Sequence, residues 1–191
     1  GKEDVGGFGG EFKGGSIKMG TVDQCSTRGD TNVGGFLGEA REFGSLAEIH
    51  NCKRNSEVTG HEVSGFIGAG ESVELLNCVS LGSFKGTKVA GFVYKCADVV
   101  IKKSYCKNSL TGDKQNGLFA ITIRNSDINR CFTLSETTNS DLDLDLTSVV
   151  YNSGQVTFDL YWSSMLNPIG EDSVGEAINS DNLDDFKTML I

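Results

Sequence analysis

Val33-Gly34-Gly35-Phe36, Val63-Ser64-Gly65-Phe66 and Val89-Ala90-Gly91-Phe92 are one phrase written three times. Val5-Gly6-Gly7-Phe8 precedes them and Asn116-Gly117-Leu118-Phe119 follows. The anchoring glycines Gly7, Gly35, Gly65, Gly91 and Gly117 stand 28, 30, 26 and 26 residues apart. A second phrase, an aliphatic residue three before a small one, keeps stricter time. Val22/Cys25, Ile49/Cys52, Leu75/Cys78, Ile101/Ser104 and Ile128/Cys131 recur at steps of 27, 26, 26 and 27. Self-similarity at such a period marks a solenoid, in which each repeat stacks on the next because it cannot bury its apolar face alone.

Between the phrases, short stretches alternate apolar and polar residues, as Ile17 and Met19 do, and glycines break them up. That is the pattern of half-buried strands, and no stretch before residue 134 sustains a helical period. The 191 residues include 25 Gly and 1 Pro, a composition suited to tight β-corners rather than proline-rich linkers. The fold expected is all-β: a right-handed β-solenoid of about five coils, each of two or three short strands. Val22, Ile49, Leu75, Ile101 and Ile128 form one inward ladder, with Cys25, Cys52, Cys78, Ser104 and Cys131 filling a second slot.

Charge divides the chain. Residues 1–134 carry 16 Lys/Arg against 15 Asp/Glu, whereas residues 135–191 carry Lys187 alone against 11 acids. A solenoid over 1–134 is therefore followed by an acidic segment over 135–191. Within that segment Asp141-Leu142-Asp143-Leu144-Asp145-Leu146 alternates strictly. Asn152-Ser153-Gly154 reads as a hairpin turn between Val149–Tyr151 and Val156–Tyr161. Leu183, Phe186, Met189 and Leu190 recur at helical spacing behind an N-cap at Ser180. The segment is expected to cap the solenoid with a β-hairpin and a short helix, because an open coil end presents unpaired strand edges. A neutral body with an acidic end repels phosphate, so nucleic acid is not an expected partner. No apolar run approaches the roughly 20 residues of a membrane span, and the N-terminal stretch does not read as a signal peptide.

The phrase [Val/Asn]-x-Gly-[Phe/Leu], followed by an aliphatic-x-x-[Cys/Ser] strand and a Thr-Gly or Lys-Gly turn, resembles GLUG-motif repeats over residues 5–134. Such repeats occur in the non-catalytic part of IgA-cleaving metalloproteases and in bacterial and protist surface or adhesin-like proteins. The chain departs from that family in having Phe where Leu often follows the second glycine. The resemblance implies a β-solenoid, a cell-surface or extracellular location and an adhesive role. It carries no catalytic residue onto this chain.

The candidate sites weigh the same way. Four cysteines share one slot, and Ser104 stands in it too, so small size rather than sulfur chemistry is what the slot requires; buried inert thiols follow. No C-x₂₋₄-C pair offers a zinc site. Cys96 and Cys106 lie outside the ladder and are the candidates for a disulfide or a reactive thiol. Arg28-Gly29-Asp30 matches the integrin-binding tripeptide. The same turn reads Thr59-Gly60-His61, Lys85-Gly86-Thr87 and Thr111-Gly112-Asp113 in later coils, so the match follows from the repeat. His61-Glu62 begins a zinc-protease motif whose fifth position is Gly65, which excludes that chemistry. Asp141 and Asp143 are the only candidate metal ligands, for calcium, against the simpler reading of a solvated outer row; no other cofactor is implied.

A polysaccharide-cleaving enzyme would need paired carboxylates or a base beside acids in one groove. Lys102, Lys103 and Lys107 with Asp98 form the only basic cluster on a coil. A flat row of repeated threonines, as on a crystal-binding face, is missing, since Thr27, Arg54, Ser80, Cys106 and Thr133 share a slot and differ. The expected function is a non-catalytic binding or adhesion module whose variable turns meet a protein or glycan. The alternatives are a structural spacer cut from a longer parent chain and, behind it, a carbohydrate-active enzyme. Phe43, Phe84, Tyr94, Tyr105, Tyr151, Tyr161 and Trp162 are the aromatics that would line a glycan groove.

Overall fold

The computed structural model describes residues 2–137 and, beyond them, the strands at 144–151, 157–163 and 176–178. The first coil comprises β1 (Glu3–Gly6), β2 (Gly9–Lys13), β3 (Gly15–Lys18) and β4 (Thr21–Arg28). The second comprises β5 (Thr31–Gly34), β6 (Leu37–Arg41), β7 (Ala47–His50) and the first half of β8 (Lys53–Ser64). From there the turn between coils is absorbed into long strands. β9 (Ile67–Glu71), β10 (Val73–Leu76) and β11 (Val79–Ala90) make the third coil, and β12 (Val93–Ala97), β13 (Val100–Lys102) and β14 (Tyr105–Arg124) the fourth. β15 (Asp127–Thr133) and β16 (Glu136–Thr137) carry the chain on to β17 (Leu144–Tyr151), β18 (Thr157–Ser163) and β19 (Glu176–Ile178).

Each strand pairs in parallel with its counterpart one coil on, giving a β-solenoid of about five turns with no helix among the described residues. Its central rung is the repeated phrase. Phe8, Phe36, Phe66, Phe92 and Phe119 stack ring on ring, with centroids 4.8, 4.8, 5.1 and 5.0 Å apart. That spacing is the distance between hydrogen-bonded strands, so one aromatic per coil fills the core without a gap. The glycine before each of the first four rings has a steric cause: a Cβ on Gly65 would collide with the carbonyl oxygen of Gly91 in the next coil.

A second interior row runs Ile17, Ile49, Leu75, Ile101, Ile128. Four members were legible from spacing, but Val22 is not the fifth. It pairs with Arg54. Lys13 pairs with Arg41, 28 residues on, and Gly15 pairs with Ala47, 32 on. The second coil therefore has the five residues Glu42–Leu46 where the first has only Gly14, four more, and an even step of 27 crosses them into the wrong rung. The slot expected for Cys25 is held by Gly20, whose N–H meets the Cys52 sulfur at 3.3 Å. A smaller slip affects Gly117. Gly86 pairs with Gly112 but Lys88 pairs with Gln115, so a bulge places Gly117 beside Ala90 and puts Leu118 after it, in step with Gly91.

The corner slot of Cys52, Cys78, Ser104 and Cys131 needs more than small size. Each side chain donates to the carbonyl two residues earlier: Cys52 to His50 at 3.3 Å, Cys78 to Leu76 at 3.5 Å, Ser104 to Lys102 at 2.9 Å and Cys131 to Asn129 at 3.4 Å. The residue just before each one has left-handed backbone (Asn51, Asn77, Lys103 and Arg130, φ 48–55°), and that carbonyl still accepts a ladder N–H: His50 O from Met19, Leu76 O from Asn51, Lys102 O from Asn77 and Asn129 O from Lys103. The slot atom also accepts an N–H from the coil before it, Gly20 N–H at the Cys52 sulfur and, at 3.0 Å, Cys78 N–H at the Ser104 hydroxyl, so a thiol or a hydroxyl satisfies a backbone donor that alanine would strand.

Beyond residue 134 the strands run on with the stack. β17 pairs in parallel with β14, and β18 with β15. The two strands expected to form a hairpin thus lie on the preceding coil, with no antiparallel pairing between them among the described residues. The helix expected over residues 180–190, Asp141 and Asp143 lie outside the described residues.

Candidate functional site

The turn that joins one coil to the next builds a trough. Arg28 stands over Thr59, Lys85 and Thr111 in successive coils, while Gly60, Gly86 and Gly112 pair below them. Gly29 joins the same row, its N–H donating to the Thr59 carbonyl at 3.1 Å. The glycines form the floor because the inward direction is blocked. A Cβ on Gly60 would lie 2.7 Å from the Gly29 oxygen and 3.0 Å from Val33, and one on Gly86 would lie 2.7 Å from the Gly60 oxygen. Past the floor, the chain turns through Asp30, His61, Thr87 and Asp113.

The result is an open trough of about 500 Å³ running across four coils. Arg28 and Lys85 line one wall, and Asp30 and Asp113 line the other. None of these four charges has an ion-pair partner within 4 Å among the described residues. Arg28-Gly29-Asp30 is therefore part of a wall and floor, with its glycine amide tied into the coil ladder, and does not stand out as a free loop.

The other sequence candidates do not converge. Asp98 and Lys103 occupy two different left-handed corners, one before and one after β13, while Lys107 projects from β14. All six cysteines are free thiols. Cys96 and Cys106 are not reactive outliers: both are buried, and their sulfurs donate to Thr122 O at 3.6 Å and to Leu118 O at 3.4 Å. Burial pushes the Cys96 thiol up to about 12 and the Cys106 thiol up to about 11. Cys25, half-buried at a bulge opposite Ser56, is the most accessible of the six. Among the described residues no three His, Cys, Asp or Glu side chains group closely enough to hold a metal ion.

Among the residues whose side chains are described, the aromatics form no platform. Phe84 and Tyr94 are buried, Phe43 stands exposed on the inserted loop of the second coil, and Tyr105 is half-buried on β14.

Spacing gave no hint of Arg54. The slot that looked like a variable outer position is an interior one: Val22, Arg54, Ser80, Cys106 and Thr133 pair in succession and all are buried. The guanidinium donates through Nη1 to Leu81 O at 2.6 Å and through Nη2 to Ser56 O at 2.6 Å and Ser56 Oγ at 2.7 Å. It also lies 4.5 Å from the Phe84 ring centre. No carboxylate pairs with it among the described residues, and burial pulls its pKa down to about 9. The signal was in the sequence: one long cation in a column whose other members are small or apolar marks a coil whose interior must be wider there.

Comparison of the chain with protein-family models, with curated proteins and with solved structures finds no match.

Proposed function

We propose that this chain is a non-catalytic binding module of the adhesion type, holding its ligand in the turn trough. The observation that carries the reading is the trough itself. Two walls of opposite, unpaired charge face each other over a glycine floor, and the fold uses none of the four side chains. An extended ligand laid along the solenoid axis would meet cations on one flank and carboxylates on the other. The turn trough's own lining holds no aromatic side chain, which favours a charged peptide segment over a neutral sugar as that ligand. The resemblance to GLUG-motif repeats supports a location at the cell surface.

The test is a combined peptide and glycan array, screened with the native chain and with a variant carrying Lys85→Glu and Asp113→Lys, with and without calcium. Specific binding by the native chain, weakened at least tenfold in the variant while circular dichroism is unchanged, is the expected result. A blank array for both proteins overturns the reading and leaves the spacer. Binding that needs calcium would bring Asp141 and Asp143 into the site.

A further inference from the structure

A second trough lies on a different face, where β6, β9, β12 and the end of β14 stack. The outward residues form two columns. One runs Glu39, Ala69, Lys95, Thr122, and the other Arg41, Glu71, Ala97, Arg124. Charged or polar side chains occupy every outward position except Ala69 and Ala97, which fall on a diagonal in the third and fourth coils. The surface dips there into a trough of about 400 Å³.

The rim is ordered by charge. Glu39 and Glu71, on the second and third coils, stand at one end; Lys95 and Arg124, on the fourth and fifth, stand at the other. Some of this charge is already engaged. Arg41 lies 3.5 Å from Glu39 but is held more closely by Glu11 at 2.7 Å, and Lys95 reaches Glu62 at 3.2 Å. Glu71 and Arg124 have no ion-pair partner within 4 Å among the described residues. They share a column with only Ala97 between them, so two rung spacings, about 9–10 Å, separate their backbones. Burial raises the Glu39 carboxyl above its usual range against the opposing pull of Arg41.

We infer that this trough binds a small zwitterion, a free amine at Glu71 and Glu39 and a free carboxylate at Arg124 and Lys95, with its body over Ala69 and Ala97. The spacing sets its length. Two extended residues span at most about 7 Å, so a dipeptide with both termini free bridges the gap with a hydrogen bond at each end. Guanidinium offers a bidentate seat for the carboxylate. This site is independent of the turn trough, and either can stand if the other fails.

Calorimetric titration of the native chain with Ala-Ala, its N-acetyl form and its C-terminal amide tests the inference. Saturable binding of Ala-Ala is expected, falling about tenfold or more when either terminus is blocked, since each block deletes one charge-assisted contact. Glu71→Gln should weaken the free dipeptide but leave the N-acetyl form unchanged. Arg124→Gln should do the reverse, weakening the free dipeptide and sparing the amide. Both residues are exposed, so circular dichroism should not change. Ala97→Phe, which fills the trough, should abolish binding of every probe. Equal binding of blocked and free dipeptides, or no saturable heat up to about 10 mM, overturns the inference.

Discussion

Removing one ring from the middle of the phenylalanine stack should cost far more than removing the ring at its end. Phe92 is fully buried and lies 5.1 Å from Phe66 and 5.0 Å from Phe119, whereas Phe8 is 51% exposed and stacks only on Phe36. Phe→Ala in a closed core costs about 3–5 kcal/mol, combining lost transfer energy with the cavity left behind. The Phe92 cavity has coils on both sides and strands fixed by the ladder, so the wall cannot collapse and the upper half of that range applies. Phe8→Ala removes a half-exposed ring and opens no closed void, so about half the transfer term remains, roughly 1–2 kcal/mol. Urea unfolding followed by circular dichroism reads both. With a slope near 2 kcal/mol/M, Phe92→Ala should lower the midpoint by about 2 M and Phe8→Ala by less than 1 M. Phe92→Leu, which keeps most of the volume, should fall between them and keeps the comparison measurable if the alanine variant unfolds. Equal shifts at positions 8 and 92, or a Phe92→Ala cost under about 1 kcal/mol, would refute the stacked-ring core.

Three further outcomes follow from the corners and the buried groups. Ser104→Cys should leave stability within about 0.5 kcal/mol of the native chain, while Ser104→Ala, which strands the buried Cys78 N–H, should cost about 1 kcal/mol in the same urea assay. Lys103 holds φ 48° without a glycine's freedom, so Lys103→Gly should raise the melting temperature, the backbone strain relieved being of order 1 kcal/mol. The third is a loss of stability in alkali. Burial pushes the thiols of Cys78 and Cys96 up to about 12 and that of Cys106 to about 11, from an ordinary value of 9.0, so their protons are held in the folded chain and released on unfolding. The stability they lend is complete below about pH 9 and is lost as pH rises toward 11–12. Arg54, pulled down to about 9, acts in the opposite sense, its penalty easing above that pH. Burial also raises Cys52 and Tyr94, so the groups that hold a proton outnumber the one guanidinium and stability should fall between about pH 9.5 and 11. Urea midpoints that stay level or rise over that range would contradict it.

What the sequence made legible was whatever one coil must share with the next. The phenylalanine of the phrase, the glycine beside it, the aliphatic row from Ile49 to Ile128 and the turn glycines all recur because neighbouring strands stack in register, and stacking enforces a period. Where the period breaks, spacing misleads. The insertion at Glu42–Leu46 placed Val22 and Cys25 one slot away from their true rungs, and the bulge after Gly86 displaced Gly117. Both are local loop events that add residues without altering the core. Asn152-Ser153-Gly154 looked like a hairpin because a turn signal says that the chain bends, not whether the next strand returns or stacks. The troughs were not legible either. Each is made by residues 26 to 31 apart in sequence that become neighbours only after the register is known.

The separation of interior from exterior also explains how one short chain can carry two unlike sites. A coil fixes its inner residues through the ring stack, the aliphatic row and the corner slot, and these leave the outward positions free of any packing demand. On the turn face the two bases and the two acids sit on opposite flanks of the glycine floor, so the field runs across the solenoid axis. On the strand face Arg41 is taken up by Glu11, and of the charges that line the trough the acids belong to the earlier coils and the bases to the later ones, so the field runs along the axis. A ligand that satisfies the first must carry its charges on its two sides, as an extended peptide does with alternating side chains. One that satisfies the second must carry them at its two ends, as a zwitterion does. On the two proposals made above, the same stacking geometry selects two different chemistries, and the selection rests on which outward column each charge occupies.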